Sequence, residues 1–262
     1  MILIDNSFIG YVLTNLDLNI LQTCSSTNDV AIKNAKKGLP EGTSYLSYLQ
    51  TKGRGRNNNQ WESMKGNLFL SIIFRPTLSK VKWQQLSLII GLSILETLIK
   101  LGVDKNIIEL KWPNDVLVEK SKISGVLLES FDDFIVAGIG LNILKKPQNE
   151  IKWKTTKLYD HINKDFSLKY IANVILKITF KNYAIWEDKG FNYFKKKINN
   201  TIFNINNKIV IRLNSQSNDI NGVFLGLGDN GSLKIKIDNK YLEYHSVESF
   251  FFQMKNYNDI SN

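Results

Sequence analysis

One long apolar helical pattern followed by closely spaced strand runs limits the folds open to this chain more than any other feature. Leu86, Ile89, Ile90, Ile94, Leu98 and Leu101 recur at helical spacing within residues 82–101, and Gly102 stands where a C-cap glycine belongs. Residues 109–111, 116–119, 123–129 and 134–142 then read as consecutive strands with tight connections. Upstream, residues 19–23, 43–49 and 67–75 are strand-like, the last stopping at Pro76. A short helix through Val30, Ala31 and Ala35 starts after Ser25–Asp29 and closes at Lys36-Lys37-Gly38, and a longer one over residues 168–186 is capped by Ser167. Strand runs with helices segregated from them predict an α+β fold, a mixed sheet covered by helices, and not a doubly wound one.

The texture changes near residue 200. Residues 201–213, 220–228, 232–237 and 241–245 are short β-rich runs separated by Asn206-Asn207, Asp229-Asn230-Gly231 and Asp238-Asn239, all turn chemistry. Two domains are expected: residues 1–200, carrying the sheet and helices, and residues 201–262, a small all-β barrel.

Bulk properties narrow the function. With 262 residues, 43% of them apolar, the chain can build a proper core. No uninterrupted apolar run has the length of a membrane span, and the N-terminus lacks the basic-then-apolar order of a secretory signal. A lone cysteine, Cys24, excludes an internal disulfide and suits a reducing cytoplasm; it reads as a small apolar residue. His161 and His245 have no metal-ligand spacing around them, and no Gly-x-Ser-x-Gly elbow exists, which disfavours a zinc site and a serine hydrolase. The net charge of +10 fits a nucleic acid, an acidic protein partner or an anionic small molecule, but the lysines are spread out and only 195–197 form a run, as on a solvated helix face.

The chemistry concentrates in four stretches. Residues 50–61 alternate Gly53, Arg54, Gly55 and Arg56 and end at Trp61. Glycine permits close backbone approach and arginine offers a fixed fork of donors, so this loop suits a small anion while matching neither the Walker nor the dinucleotide pattern. Lys111-Trp112-Pro113-Asn114-Asp115 places a lysine at a strand end before a proline-stiffened turn with an amide and a carboxylate. Lys122 opens a strand running through Gly125 to Glu129, and Gly138-Ile139-Gly140-Leu141-Asn142 closes another. Singly, each has a plain structural reading: strand-end lysines, packing glycines, and Ser26 and Asn28 as helix caps.

In combination and order, Ser26-Thr27-Asn28, Gln50…Gly53-Arg54-Gly55-Arg56…Trp61, Lys111–Asp115, Lys122-x-x-Gly125 and Gly140-x-Asn142 resemble the biotin protein ligases, the biotin–[acetyl-CoA-carboxylase] ligases. The catalytic match covers roughly residues 15–190. The C-terminal β-segment looks like that family's SH3-like barrel, and the catalytic fold it implies is the one shared with class II aminoacyl-tRNA synthetases. Because the chain begins almost at the catalytic strand, it resembles the monofunctional members that lack a DNA-binding domain.

The resemblance implies a two-step reaction with ATP and biotin as substrates and Mg²⁺ accompanying the nucleotide. Biotin becomes biotinyl-5′-AMP and is then transferred to a lysine of the biotin carboxyl carrier domain of acetyl-CoA carboxylase. Arg56, Lys111, Asp115 and Lys122 are implied as catalytic. Ser26, Thr27, Asn28, Gln50, Gly53, Arg54, Gly55, Arg56 and Lys122 are implied to bind biotin, and Arg56, Lys111, Asn114, Lys122 and Asn142 the nucleotide, with no protein-bound metal. Asp115 is the expected group to orient or deprotonate the acceptor lysine; an Asx-type turn is its structural alternative. An exposed sheet edge could pair two copies or dock the carrier.

The family's loop usually continues with a glycine and an arginine where this chain has Asn58 and Asn59. Asn58 is expected to adopt the glycine's left-handed geometry. Asn59 cannot supply the charge, so a weaker grip on ATP and a leakier adenylate are expected. Trp153 is expected to be a surface tryptophan. A lipoate ligase and a basic nucleic-acid-binding module are the competing readings.

Overall fold

In the computed structural model, which describes residues 17–57, 59–147, 153–213, 216–247 and 249–252, the strands and helices fall largely where patterning puts them. The first half holds β1 (Leu18–Leu21), α1 (Thr27–Ala35), β2 (Ser44–Ser47), β3 (Leu68–Phe74) and α2 (Leu86–Leu101). Then come β4 (Ile108–Lys111), β5 (Asp115–Val118), β6 (Ser121–Ser130), β7 (Ile135–Leu141), α3 (Leu168–Lys189) and α4 (Asn192–Asn199). The C-terminal strands are β8 (Lys208–Arg212), β9 (Ile220–Leu227), β10 (Leu233–Ile237), β11 (Lys240–Tyr244) and β12 (Ser249–Phe252).

Seven strands form one mixed sheet in the order β1-β2-β3-β7-β6-β5-β4. The β1–β2 pair is parallel, joined through α1, and the other neighbours are antiparallel. All seven residues of β3 are buried, because the sheet is covered on both faces there. Leu68, Leu70, Ile72 and Phe74 join the main core with α2 and α3, while Ile73 packs with Ala31, Ala35, Tyr45 and Val136 beneath α1. With side chains alternating between faces, Ser71 therefore points toward α1, not into the apolar core. That parity builds one wall of the site.

α2 is shorter than the helix expected over residues 82–101. Lys80–Gln85 form a 3-10 segment, and the α-helix starts at Leu86 and ends at Gly102, whose φ of 110° is the expected left-handed cap. By length and composition Lys80–Leu101 could cross a membrane, but 78% of its apolar window is buried inside the fold, as in a core helix. Ser167 caps α3 as expected, accepting from the Tyr170 backbone N–H at 3.1 Å, and the helix runs on to Lys189. The 195–197 lysine run lies on α4, where Phe194 and Ile198 are buried, Lys195 pairs with Asp229 at 2.5 Å and Lys197 pairs with Glu96.

The C-terminal strands make a separate five-stranded antiparallel sheet, ordered β11-β10-β9-β8-β12. The strand expected over residues 201–213 begins only at Lys208, since Asn204 and Asn206 take positive φ in the preceding turns. Ile202 instead bridges to Leu110, covering the edge of β4. Ile209, Phe224, Leu233 and Ile235 continue the same hydrophobic core as α2 and α3. Trp112 Nε1 donates to the Gly231 carbonyl at 3.1 Å and Gln85 Nε2 to that of Asn230 at 3.3 Å, tying this sheet to the turn that carries Asp115.

At the far end of the main sheet Glu41 is enclosed between β3 and α3. It accepts from the Arg75 backbone N–H at 2.7 Å and from the Tyr183 hydroxyl at 2.7 Å, and Glu187 lies close by. Burial pushes the Glu41 carboxyl above its ordinary range, against the opposing pull of those hydrogen bonds. A carboxyl raised on folding destabilises the native state above its folded pKa, and that penalty fades as pH falls toward the unfolded value of about 4.3. Glu41→Gln keeps one oxygen able to accept both bonds. It is therefore expected to raise the urea midpoint at pH 7, with the gain over wild type shrinking as pH is lowered toward about 4.3.

Candidate active site

Three glycines on the cleft side of β6 and β7 leave a floor without side chains. A Cβ on Gly138 would overlap the Asn28 amide, and one on Gly140 would overlap the Trp61 ring. A Cβ on Gly125 would sit 3.2 Å from both Asp115 Oδ1 and the Trp61 ring. Asn28 and Trp61 thus lie directly against the sheet, and the space beside them is a cleft of about 640 Å³. The glycines were legible as close-packing positions; what packs on them was not.

At one end, polar groups from α1, β3 and the loop after β2 interlock. Gln50 Oε1 accepts from the Thr27 backbone N–H at 2.8 Å and from the Thr27 hydroxyl at 3.0 Å, while Gln50 Nε2 donates to Ser63 Oγ at 3.2 Å. Ser71 Oγ is 2.7 Å from Thr27 Oγ1 and 2.5 Å from Asn28 Oδ1. Ser26 occupies the N-cap position of α1, yet its side chain makes no capping bond, and it is 97% buried beside the cleft. Neither Ser26 nor Asn28 is therefore a plain cap.

The Gly/Arg loop folds back on itself as the cleft's lid. Gly55 N–H donates to the Asn59 carbonyl at 2.7 Å, and both the backbone N–H and Nδ2 of Asn59 donate to the Arg56 carbonyl, at 3.0 and 2.8 Å. Asn57 sits at φ 53°, the left-handed geometry asparagine tolerates best among non-glycine residues; Asn58 lies outside the described residues. Gly53 sits under the loop instead of lining the cleft, where an added Cβ would meet Ser63 Oγ at 2.5 Å and the Trp61 carbonyl at 2.6 Å. Arg54 turns away from the charged end, forking to Asp29 at 2.7 Å and Glu129 at 3.1 Å. Arg54, Gly55 and Arg56 all line the cleft.

Cations gather at the other end. Lys111 and Asp115 are cross-strand partners at the close of the β4–β5 hairpin, where the Trp112–Pro113 bond is cis. Lys122 Nζ pairs with Asp115 Oδ1 at 2.7 Å and lies 5.4 Å from the centre of the Trp61 ring. Arg56 Nη1 donates to Asn114 Oδ1 at 3.3 Å, and Asn114 Nδ2 donates to the Val126 carbonyl at 2.9 Å. Burial lowers the Lys111 ammonium below its usual range, with Asp115 opposing and Lys122 reinforcing, and burial lowers Arg56 in the same way against Asp115. Cations held at such a cost without enough counter-charge are set up to receive an anion.

Lys111 Nζ stands 3.8 Å over the centre of the Trp153 ring, whose Nε1 donates to the Lys120 carbonyl at 3.2 Å. Trp153 therefore belongs to the cleft wall, and the surface placement expected of it does not hold. Asn142 borders the cleft but is 98% buried, donating to the Thr156 carbonyl at 3.1 Å and accepting from Asn67 Nδ2 at 3.4 Å. Asn67, with no motif to mark it, accepts three backbone N–H groups from Ile143, Leu144 and Lys145 at 3.0–3.1 Å and so shapes the turn after β7. Cys24 is half-buried, its thiol pushed up by burial and by Asp29, as suits an unreactive residue.

Comparison with known proteins bears on this arrangement. The biotin/lipoate A/B protein ligase family model matches residues 20–143. The solved biotin protein ligase from Aquifex aeolicus in complex with biotin and ATP superposes with a TM-score of 0.79 at 31% identity, over 90% of this chain and 99% of that one. The chain belongs to the biotin protein ligases. Among curated members it is 28% identical over 238 residues to the bifunctional ligase/repressor BirA of Bacillus subtilis, spanning 86% of this chain and 70% of that protein. It is 34% identical over 144 residues to the biotin–[acetyl-CoA-carboxylase] ligase of Mycobacterium tuberculosis, 54% of each.

As in any close-packed site, the ligase's floor should be intolerant of added volume. Gly140→Ala is expected to force the Trp61 ring off the sheet, costing about 1–3 kcal/mol in urea denaturation and weakening biotin binding by calorimetry. Gly38→Ala, at a left-handed position with nothing within 4 Å, should lose stability through backbone strain but leave binding intact.

Proposed function

We propose that this ligase joins biotin to ATP as biotinyl-5′-AMP and passes the biotinyl group to one lysine of a biotin carboxyl carrier domain. The observation that carries the reading is the division of one cleft into a polar end, built by Ser26, Thr27 and Gln50, and a cationic end, built by Arg56, Lys111 and Lys122. A ureido ring needs the first and a carboxylate meeting a triphosphate needs the second. The family model covers lipoate ligases as well; the interlocked amide and hydroxyl groups favour biotin, whose ring offers N–H and C=O groups to them. We also assign the catalytic part to residues 1–200 and a small SH3-like barrel to residues 201–262.

In the first step a biotin carboxylate oxygen attacks the α-phosphorus and pyrophosphate leaves. Two anions must approach, so fixed cations at contact distance lower the barrier by more than they could in water. Lys122 and Arg56 flank the carboxylate and Lys111 the α-phosphate, each giving up part of its desolvation cost as the anion arrives. Mg²⁺ would enter with the nucleotide and neutralise its outer phosphates. Asn114, buttressing Arg56, and Asn142, held by Asn67 and the Thr156 carbonyl, shape the nucleotide side.

In the second step the acceptor amine attacks the acyl carbon and AMP leaves. An exposed lysine has a pKa of about 10.4 and must shed a proton first. Asp115 stands beside Lys122, and the negative charge of the adenylate on Lys122 releases the carboxylate to orient or accept that proton.

Biotin-dependent ATP–pyrophosphate exchange tests substrate and chemistry together. Wild type is expected to exchange with biotin and not with lipoate, and Lys122→Ala to lose about 100-fold or more; exchange driven by lipoate would overturn the reading. Asp115→Asn is expected to slow transfer from pre-made biotinyl-AMP to the carrier, and transfer at the wild-type rate would remove Asp115 from that step. Asn59→Arg adds a cation beside the phosphates and gives up only the side-chain bond to the Arg56 carbonyl, the backbone N–H bond there remaining, so apparent ATP affinity should rise and the adenylate escape less often; an unchanged affinity in the exchange assay refutes a role for that position.

A further inference from the structure

β7 leaves the sheet just where Lys122 needs a neighbour. Leu141 pairs with both Leu68 and Ser124, so Asn67, Asn142 and Ile123 stand side by side one step further on. There the Asn142 backbone N–H donates to the Ile123 carbonyl at 2.9 Å. Beyond Asn142 the chain turns out, and residues 154–156 return to the place that β7 has vacated. The Lys122 N–H donates to the Lys154 carbonyl at 2.8 Å, and the Thr156 N–H donates to the Lys122 carbonyl at 2.9 Å. The return is tied at its base: the Leu158 N–H donates to the Asn142 carbonyl at 2.9 Å, and Asn142 Nδ2 to that of Thr156 at 3.1 Å. Pro147, Trp153 and Thr155 of this excursion line the cleft.

Asn67 is the corner about which the chain turns, and it is fully buried. Its Oδ1 accepts the successive backbone N–H groups of Ile143, Leu144 and Lys145 at 3.0–3.1 Å. Its Nδ2 donates to the Lys145 carbonyl at 2.9 Å and to Asn142 Oδ1 at 3.4 Å. Successive N–H groups converging on one point make a nest suited to an anion; here a neutral amide oxygen of the chain itself fills it. Gly66, at φ 99°, lets Leu144 lie against this corner, since an added Cβ would meet Leu144 Cδ1 at 2.5 Å. At this side-chain length only asparagine supplies an acceptor together with two donors.

We propose that Asn67, from outside the cleft, is a positioning residue for the ATP side of the reaction. By fixing the turn after β7 it fixes the returning strand, and through that strand the backbone of Lys122 and the ring of Trp153, 3.8 Å from Lys111 Nζ. The inference rests on the biotin and ATP reading above. Two of the three cations that meet the phosphate thus depend on one buried amide. The polar end of the cleft is held by a separate set of bonds, from Gln50 and Ser71 to Thr27, and Lys122 keeps its pairing with Asp115 from β5. Loss of the corner therefore falls on the nucleotide and spares the ring of biotin. Small displacements of charged groups weigh heavily where the reacting atoms must be aligned.

The test combines biotin affinity by calorimetry, whose stoichiometry counts folded sites, with the KM for ATP in exchange at saturating biotin. Asn67→Ala is expected to raise the ATP KM about ten-fold or more, with biotin affinity within about three-fold of wild type. Asn67→Asp keeps an oxygen in the nest, where its charge strengthens the three N–H bonds, and loses only the donated bonds; it should raise the ATP KM about three-fold. If Asn67→Ala does not fold and binds no biotin, Asn67→Asp carries the test alone. A wild-type ATP KM in the folded variant, biotin affinity falling in step with that of ATP, or an aspartate variant as poor as a folded alanine one would overturn the role of Asn67. Failure of the wild-type chain to exchange with biotin at all would instead overturn the function on which that role rests.

Discussion

Everything in the site turns on holding Arg56, Lys111 and Lys122 in one partly buried cleft around the carboxylate of Asp115. Like charges out of water repel and resist desolvation, and burial does lower Lys111 and Arg56. The fold supports this by placing each cation on a separate rigid element: Arg56 on the lid, Lys111 at a hairpin end, Lys122 on β6. Aromatic faces replace some of the lost hydration, with Trp153 under Lys111 and Trp61 near Lys122. An arriving carboxylate and triphosphate supply counter-charge to these desolvated cations, which favours the anions and the charge that develops between them.

The apolar core makes this affordable. α2 and α3 bury one face of the sheet continuously, and the C-terminal sheet extends the same core. Trp112 links that second sheet to the turn before Asp115, so the β-rich C-terminal segment steadies the β4–β5 hairpin. The opposite face of the main sheet, stripped of side chains at Gly125, Gly138 and Gly140, is left for polar work.

Much of this was legible in the chain. The helical spacing of α2, the Ser167 and Gly102 caps and the strand order of β4 to β7 follow from local pattern, and the residues Ser26, Gln50, Arg56, Lys111, Asp115 and Lys122 stood out by type and order. What local pattern missed has a common cause. Arg54 resembles Arg56 in sequence, but only the fold pairs it with Asp29 and Glu129 and not with the cationic end of the cleft. Asn59 reads as a lost charge, whereas the folded loop uses its amide as a brace. Trp153 reads as a surface residue until Lys111, 42 positions earlier, is folded over its ring. The shortened helix at residues 80–85 and the late start of β8 are boundary effects of neighbouring turns.

By itself, then, the sequence determined which elements form and which residue types are available for anion chemistry, because propensity, periodicity and motif order act over a few neighbouring residues. Only the tertiary structure decided which side of the sheet each residue faces and which partner it meets. Ser71, Glu129 and Asn28 lie on three elements that the register of β3, β7 and β6 brings together. A one-residue slip in that register would turn Ser71 and the glycines into the core. Long-range pairing fixes hydrogen-bond direction and charge placement because both depend on distances of a few ångströms that no local stretch of chain can set.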